Sequence, residues 1–191
     1  MRNLTAALAL IAGPALVLGS VSPALATGLV IEIAGEGANG TVTIDLLEDV
    51  APNHVAQIAA LAEDGAYDGV VFHRVIDGFM AQTGDVKFGK LGGDMSRAGM
   101  GGSDRPNLDA EFSDLPFERG VVGMARSQDP NSANSQFFIM FDEGAFLNGQ
   151  YTVVGRVTDG MDVVDAIKRG KGQNGAVIGQ PDVMTSVRVT D

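Results

Sequence analysis

No cysteine occurs anywhere in the chain. Disulfide staples, thiol nucleophiles and the commonest zinc sites are therefore excluded. Basic residues are scarce too: 13 Lys and Arg against 24 Asp and Glu leave a formal charge of −11. That balance disfavours nucleic acid and anionic membrane surfaces as partners and suits a soluble, self-repelling protein. No nucleophile elbow surrounds Ser96, Ser103, Ser127, Ser132 or Ser135, so a hydrolase is the least favoured enzyme class. Glycine is plentiful between Phe88 and Ser103, but the spacing and the Lys-Ser/Thr of a phosphate-cradling loop are missing. A long surface loop is the expectation there. There is no internal repeat.

What is present begins with a leader. Arg2 supplies a short positive region, Leu4 to Leu18 is mostly apolar, and Ala24-Leu25-Ala26 is a small-x-small cleavage signature. A membrane anchor is the weaker alternative, because Gly13 and Pro14 break the apolar run short of a comfortable span. The reading is a signal peptide over 1–26 and a single domain over 27–191, periplasmic or otherwise exported, with no membrane insertion after cleavage. Removing the leader takes away one arginine and no acid, so the remaining chain is more acidic still.

Within the domain, Leu29–Ile33 and Thr41–Leu46 flank a glycine-containing turn and read as a hairpin. Pro52 opens a helix with Glu48 and Asp49 near its positive end, and Val55, Ile58, Ala59 and Ala62 form its buried stripe. Gly65 stops it. His54, in the first turns, is expected as a solvated helix residue. Strand signals resume at 120–125, 135–141, 151–157 and 183–189. A second helix follows Gly160, with Val163, Val164 and Ile167 inward. Short strands with two helices imply a mainly β, antiparallel barrel or sandwich with helical caps.

One stretch stands apart. Phe72-His73-Arg74-Val75-Ile76-Asp77-Gly78-Phe79-Met80-Ala81-Gln82 is where a permanent charge enters a run of large apolar and β-branched residues. Read as two strands broken at Gly78, it puts Phe72, Arg74 and Ile76 on one face, with Met80 and Gln82 pointing the same way. Ser135–Met140 answers it, with Gln136 and Phe138 on one face and Phe137 on the other. The pair offers a guanidinium, two carboxamides and soft apolar groups, a surface suited to binding and polarising a neutral amide. Taken singly, each residue has a plainer reading: Arg74 as a surface ion pair, the apolar side chains as core, and Gln82 and Gln136 as partners of buried backbone. His73 reads as a hydrogen-bonded core histidine.

The order of these motifs resembles the cyclophilin family of peptidyl-prolyl cis-trans isomerases. Phe72–Ile76 with Gly78–Met80 and Gln82–Asp85, then Gly123–Arg126 with Asn134–Ile139, then Ala145–Gly149 with Val153–Val157, are similar to three blocks of that family, spanning about 28–189. The resemblance implies an eight-stranded antiparallel β-barrel capped by two α-helices. It implies Arg74 as catalytic residue, Phe79, Met80, Phe138 and Leu147 as walls of a proline pocket, and Gln82 and Gln136 as peptide-positioning carboxamides. Ala125 and Arg126 fall where backbone contacts substrate. Phe146 and Tyr151 stand where many eukaryotic members carry tryptophan and histidine, as in bacterial members, which makes tight cyclosporin binding doubtful. Proline-containing polypeptides are the implied partners, the protein is expected as a monomer, and no metal or cofactor is required. Two other classes remain open: a non-catalytic binding module on the same barrel, and a lipocalin-type ligand carrier, which needs an open interior.

Overall fold

The computed structural model describes residues 27–190. The expected leader over 1–26 lies outside the described residues. Strands β1 (Gly28–Ala34) and β2 (Gly40–Leu46) form the hairpin, paired from Gly28 with Asp45 to Ile33 with Gly40. Alternation sends Leu29, Ile31 and Ile33 inward with Val42, Ile44 and Leu46.

Helix α1 (Pro52–Glu63) buries Val55, Ile58, Leu61 and Ala62 as its stripe demands, and also His54. His54 is thus not solvated: it is fully buried, and its Nδ1 lies 2.6 Å from Glu111 Oε2. The same carboxylate accepts the backbone N–H groups of Asn53 (3.1 Å) and His54 (3.0 Å). Glu111 therefore satisfies the positive end of α1, the place expected for Glu48 and Asp49, neither of which enters the first turn. A carboxylate that arrives from a loop 57 residues downstream leaves no local trace in the helix sequence.

Seven further strands follow: β3 (Val70–Val71), β4 (Arg74–Ile76), β5 (Met80–Thr83), β6 (Val121–Met124), β7 (Phe137–Met140), β8 (Val153–Asp159) and β9 (Val183–Thr190). Helix α2 (Met161–Ala166) lies between β8 and β9 and buries Val164. The described residues form one antiparallel sheet in the order β3-β9-β1-β2-β8-β6-β7-β5-β4. The mainly β, antiparallel architecture with two helices is as expected, and the eight-stranded barrel is here a half-barrel, one curled sheet of nine strands. Its two edges are consecutive in the chain, yet Phe72 and His73 leave the ladder between them, so the curl ends without edge-to-edge pairing. Isolated bridges cover both edges instead, Val70 to Lys90 on β3 and Arg74 to Ala176 on β4.

Leaving the ladder also reorients Phe72. It does not share the Arg74 face but is fully buried in the main core with Val75. That core is filled by Tyr67, Phe72, Phe137, Ile139 and the hairpin aliphatics, which removes the open interior a lipocalin-type carrier needs. On β5 and β7, alternate residues part company: Ala81, Phe137 and Ile139 join the main core. Met80, Phe138 and Met140 join a second apolar cluster with Phe117, Val121, Leu147 and Val153. The candidate site is built on this second cluster.

Candidate active site

The turn between β4 and β5 fixes the first contacts. Gly78 adopts φ +68°, and Phe79 N–H donates to Ile76 O at 3.0 Å. The resulting register places Arg74 opposite Gln82 and Ile76 opposite Met80. Arg74 Nη1 donates to Gln82 Oε1 at 3.0 Å and lies 4.0 Å from Met80 Sδ. Gln82 Nε2 donates to Gln136 Oε1 at 2.9 Å, and Gln136 Nε2 donates to the carbonyls of Gly101 (2.7 Å) and Gly99 (3.1 Å). At the other end, Arg74 Nε donates to Asn174 O at 3.0 Å. One polarised line of donors thus runs from the guanidinium through both carboxamides into the glycine-rich loop.

Arg74 is half-buried, which lowers its pKa from the ordinary arginine value, with Tyr151 opposing. A guanidinium so shifted is still charged at neutral pH. Among the described residues no carboxylate forms an ion pair with it, although five other arginines are paired in this way.

Beside Arg74 lies a cavity of about 240 Å³, below the roughly 300–1,000 Å³ typical of drug-sized ligand sites. Phe79, Met80, Phe138, Phe146, Leu147 and Tyr151 form its apolar wall, and Gln82, Ala125 and Arg126 complete it. Phe138 is held edge-on by Tyr151 (6.0 Å, 82°) and stacked from behind by Phe117 (5.8 Å, 25°). Gly123 makes that seat possible: a Cβ there would meet Phe138 Cζ at 2.6 Å and Phe117 Cε1 at 2.5 Å. Phe146 packs on Phe79 at 5.3 Å but remains 64% exposed, so its ring is a rim. Arg126 lays its guanidinium 4.3 Å over the Tyr151 ring.

Ten of the sequence-derived site residues therefore line one cavity. Gln136 does not; it lines a neighbouring cavity of about 560 Å³ that shares Gln82, Ala125 and Arg126 with the first. His73 is buried, but neither ring nitrogen finds the hydrogen-bond partner expected of it among the described residues. Burial lowers its pKa, and it does not reach the apolar cavity.

Sequence reasoning assigns no role to two other contributors. Asn174 acts through its carbonyl, which any residue type supplies, and it lies 100 residues from Arg74. Asp85 is fully buried and accepts four backbone N–H groups: Lys87 (3.1 Å), Phe88 (2.8 Å), Gly99 (2.7 Å) and Gly101 (2.9 Å). It pins the part of the glycine-rich loop that receives Gln136. A buried carboxylate with an adjacent glycine-rich run is the signal that points to such a clamp.

Comparison with known proteins assigns the chain to a family. The family model described as cyclophilin type peptidyl-prolyl cis-trans isomerase/CLD matches residues 29–189. A probable peptidyl-prolyl cis-trans isomerase of Brucella suis is 59% identical over 180 residues, covering 93% of this chain and 92% of the relative. Peptidyl-prolyl cis-trans isomerase B of Escherichia coli is 36% identical over 138 residues, covering 68% and 79%. The crystal structure of cyclophilin AquaCyp293 from Hirschia baltica superposes with a TM-score of 0.67 at 30% identity, covering 84% of this chain and 72% of that one. The chain belongs to the cyclophilin-type peptidyl-prolyl cis-trans isomerases.

Proposed function

We propose that the protein accelerates rotation about Xaa-Pro bonds in exported or envelope polypeptides and so assists their folding, with Arg74 as the catalytic residue. The observation that carries this reading is the carboxylate-free guanidinium of Arg74, held at both ends beside a small apolar cavity. Rotation of a peptide bond meets a barrier of about 18–20 kcal/mol because the amide must surrender its resonance. No covalent bond breaks, so the reaction needs neither nucleophile nor general base.

The cavity takes the proline ring, with Phe79, Met80, Phe138 and Leu147 as its walls and Phe146 and Tyr151 at its mouth. Gln82 and Gln136, with the backbone at Ala125 and Arg126, hold the flanking peptide so that one side turns against the other. As the amide twists, its nitrogen becomes pyramidal and regains a lone pair. A cation aimed at that nitrogen or at the neighbouring carbonyl binds the twisted amide better than the planar one, which is differential transition-state stabilisation. Asn174 O and Gln82 Oε1 hold the guanidinium in place before substrate arrives, so little reorganisation accompanies the twist.

A signal peptide over 1–26 delivers the 27–191 domain to the periplasm or beyond, where it acts as a monomer on proline-containing polypeptides. The acidic charge keeps it off nucleic acid. Among the described residues no helix is long and apolar enough to cross a membrane. Exchange NMR on a Xaa-Pro peptide tests the activity directly. Catalysed cis–trans exchange is expected, and unaccelerated exchange would favour the binding-module alternative.

A further inference from the structure

Arginine pairing in this acidic protein is uneven. Of the eight arginines among the described residues, Arg105, Arg119, Arg156, Arg169 and Arg188 each sit against a carboxylate. The other three are Arg74, Arg97 and Arg126. Arg74 and Arg126 line the same cavity, and Arg97 stacks over Phe88 at 4.0 Å, two residues before Gly99 on the wall of the larger cavity. The arginines left without an ion pair thus lie on or beside the substrate face of a chain carrying −11 overall.

Arg126 is the best placed of them to read a substrate side chain. It lines both cavities, so peptide running from the apolar cavity into the polar one must pass it. Its guanidinium is held rigid: Nη1 donates to Ser127 O (2.9 Å), Nη2 to Gln150 O (2.8 Å), and the plane stacks on Tyr151. Those acceptors are neutral carbonyls, which orient the group without cancelling its charge. The acid in the adjoining turn, Asp129, accepts Asn131 N–H at 2.9 Å and forms no ion pair with Arg126. An oriented, partly exposed cation with no counter-charge is completed by an anion from outside.

We infer that Arg126 makes the isomerase selective for peptides carrying an acidic side chain within two residues of the proline. The inference rests on the site assignment proposed above. Its test is kcat/KM on peptides with Glu, Gln or Lys at each of the two positions before and after proline. At low ionic strength, Glu should exceed Gln by about 3- to 10-fold at one position at least, with Lys below Gln there. The Glu-to-Gln ratio should fall towards one in ~0.5 M salt, where the screening length is only a few ångströms. In Arg126→Gln the ratio should be lost whatever the overall rate, and Arg126→Lys should retain part of it. Ratios within twofold at every position, or a ratio insensitive to salt, overturn the inference without recourse to any variant. A ratio that persists in an active Arg126→Gln protein does the same. Failure to turn over even the Gln peptides would instead remove the isomerase site assignment, so the two failures are distinguishable.

Discussion

Replacing Arg74 with alanine removes the Nε bond to Asn174 O, the Nη1 bond to Gln82 Oε1 and the contact with Met80 Sδ in one step. The ground-state cost is small, because the half-buried site lets water reach the two abandoned acceptors. On the proposed mechanism the transition-state cost is larger, since the cation that would meet the twisted amide is gone. Hydrogen bonds to charged groups contribute roughly 1.5–3 kcal/mol, and each ~1.4 kcal/mol is tenfold in rate. Arg74→Ala should therefore lower kcat/KM by about 10- to 150-fold while moving the melting temperature by no more than about 4 °C. Arg74→Lys should recover only part of the loss, because an ammonium keeps the charge but cannot donate at once to Asn174 O and Gln82 Oε1 from a planar fork. Exchange NMR on a proline peptide, with thermal unfolding measured on the same samples, reads both quantities. A folded Arg74→Ala protein with undiminished exchange would refute the electrostatic account.

Four other outcomes are expected. N-terminal mass analysis of envelope-fraction protein should find Thr27 as the first residue, and full-length protein held in the cytoplasm would exclude the leader. Cyclosporin should inhibit weakly, and Phe146→Trp should tighten inhibition, because an exposed rim ring would gain an indole N–H donor; tight inhibition of the unaltered protein contradicts this. Glu111→Ala should cost about 1–3 kcal/mol in urea unfolding by uncapping α1 and stranding the buried His54, with the Arg74 site intact; an unchanged midpoint would show that neither contact matters. Because burial depresses the His73 pKa, its contribution to stability is full above the unfolded value of about 6.5 and is lost as pH falls below that towards the folded value. Urea midpoints between pH 7.5 and 5 should show this loss, and His73→Gln should flatten it.

The parts legible in the sequence are those set by short periods. Alternation in Met80-Ala81-Gln82-Thr83 and Phe137-Phe138-Ile139-Met140 assigns each side chain to the core or to the site, and the structure keeps that alternation. Gly78 marks the turn that registers Arg74 against Gln82, because an L side chain rarely adopts its φ of +68°. The same period fails at Phe72, where the chain leaves the ladder and a residue two positions from Arg74 turns into the core. Local pattern also carries nothing about partners distant in sequence. Glu111 on His54, Asn174 on Arg74 and the Gly99 and Gly101 carbonyls on Gln136 are joined by topology, and each uses a group whose neighbours in sequence look ordinary. Strand count suffers for a related reason: Val70–Val71 and Arg74–Ile76 become separate strands only because Phe72 and His73 lack ladder partners.

Placing the site on strands rather than loops follows from what the chemistry asks of it. A group that stabilises only the twisted amide must not relax towards the planar one, so its position has to be fixed before binding. Arg74 and Gln82 face each other across two paired strands whose opposite faces, through Val75 and Ala81, are anchored in the main core. Movement of either donor would disturb a packed interior, which is costly. The apolar cup is fixed similarly: Phe138 cannot shift without meeting Phe117 on one side or Tyr151 on the other. What remains open to the peptide is the rim, where Phe146 is exposed and Arg126, oriented by neutral carbonyls and a ring, has no carboxylate partner among the described residues. Differences between peptide substrates should therefore be decided at Phe146 and Arg126, while on the proposed mechanism the rotation itself is decided at Arg74.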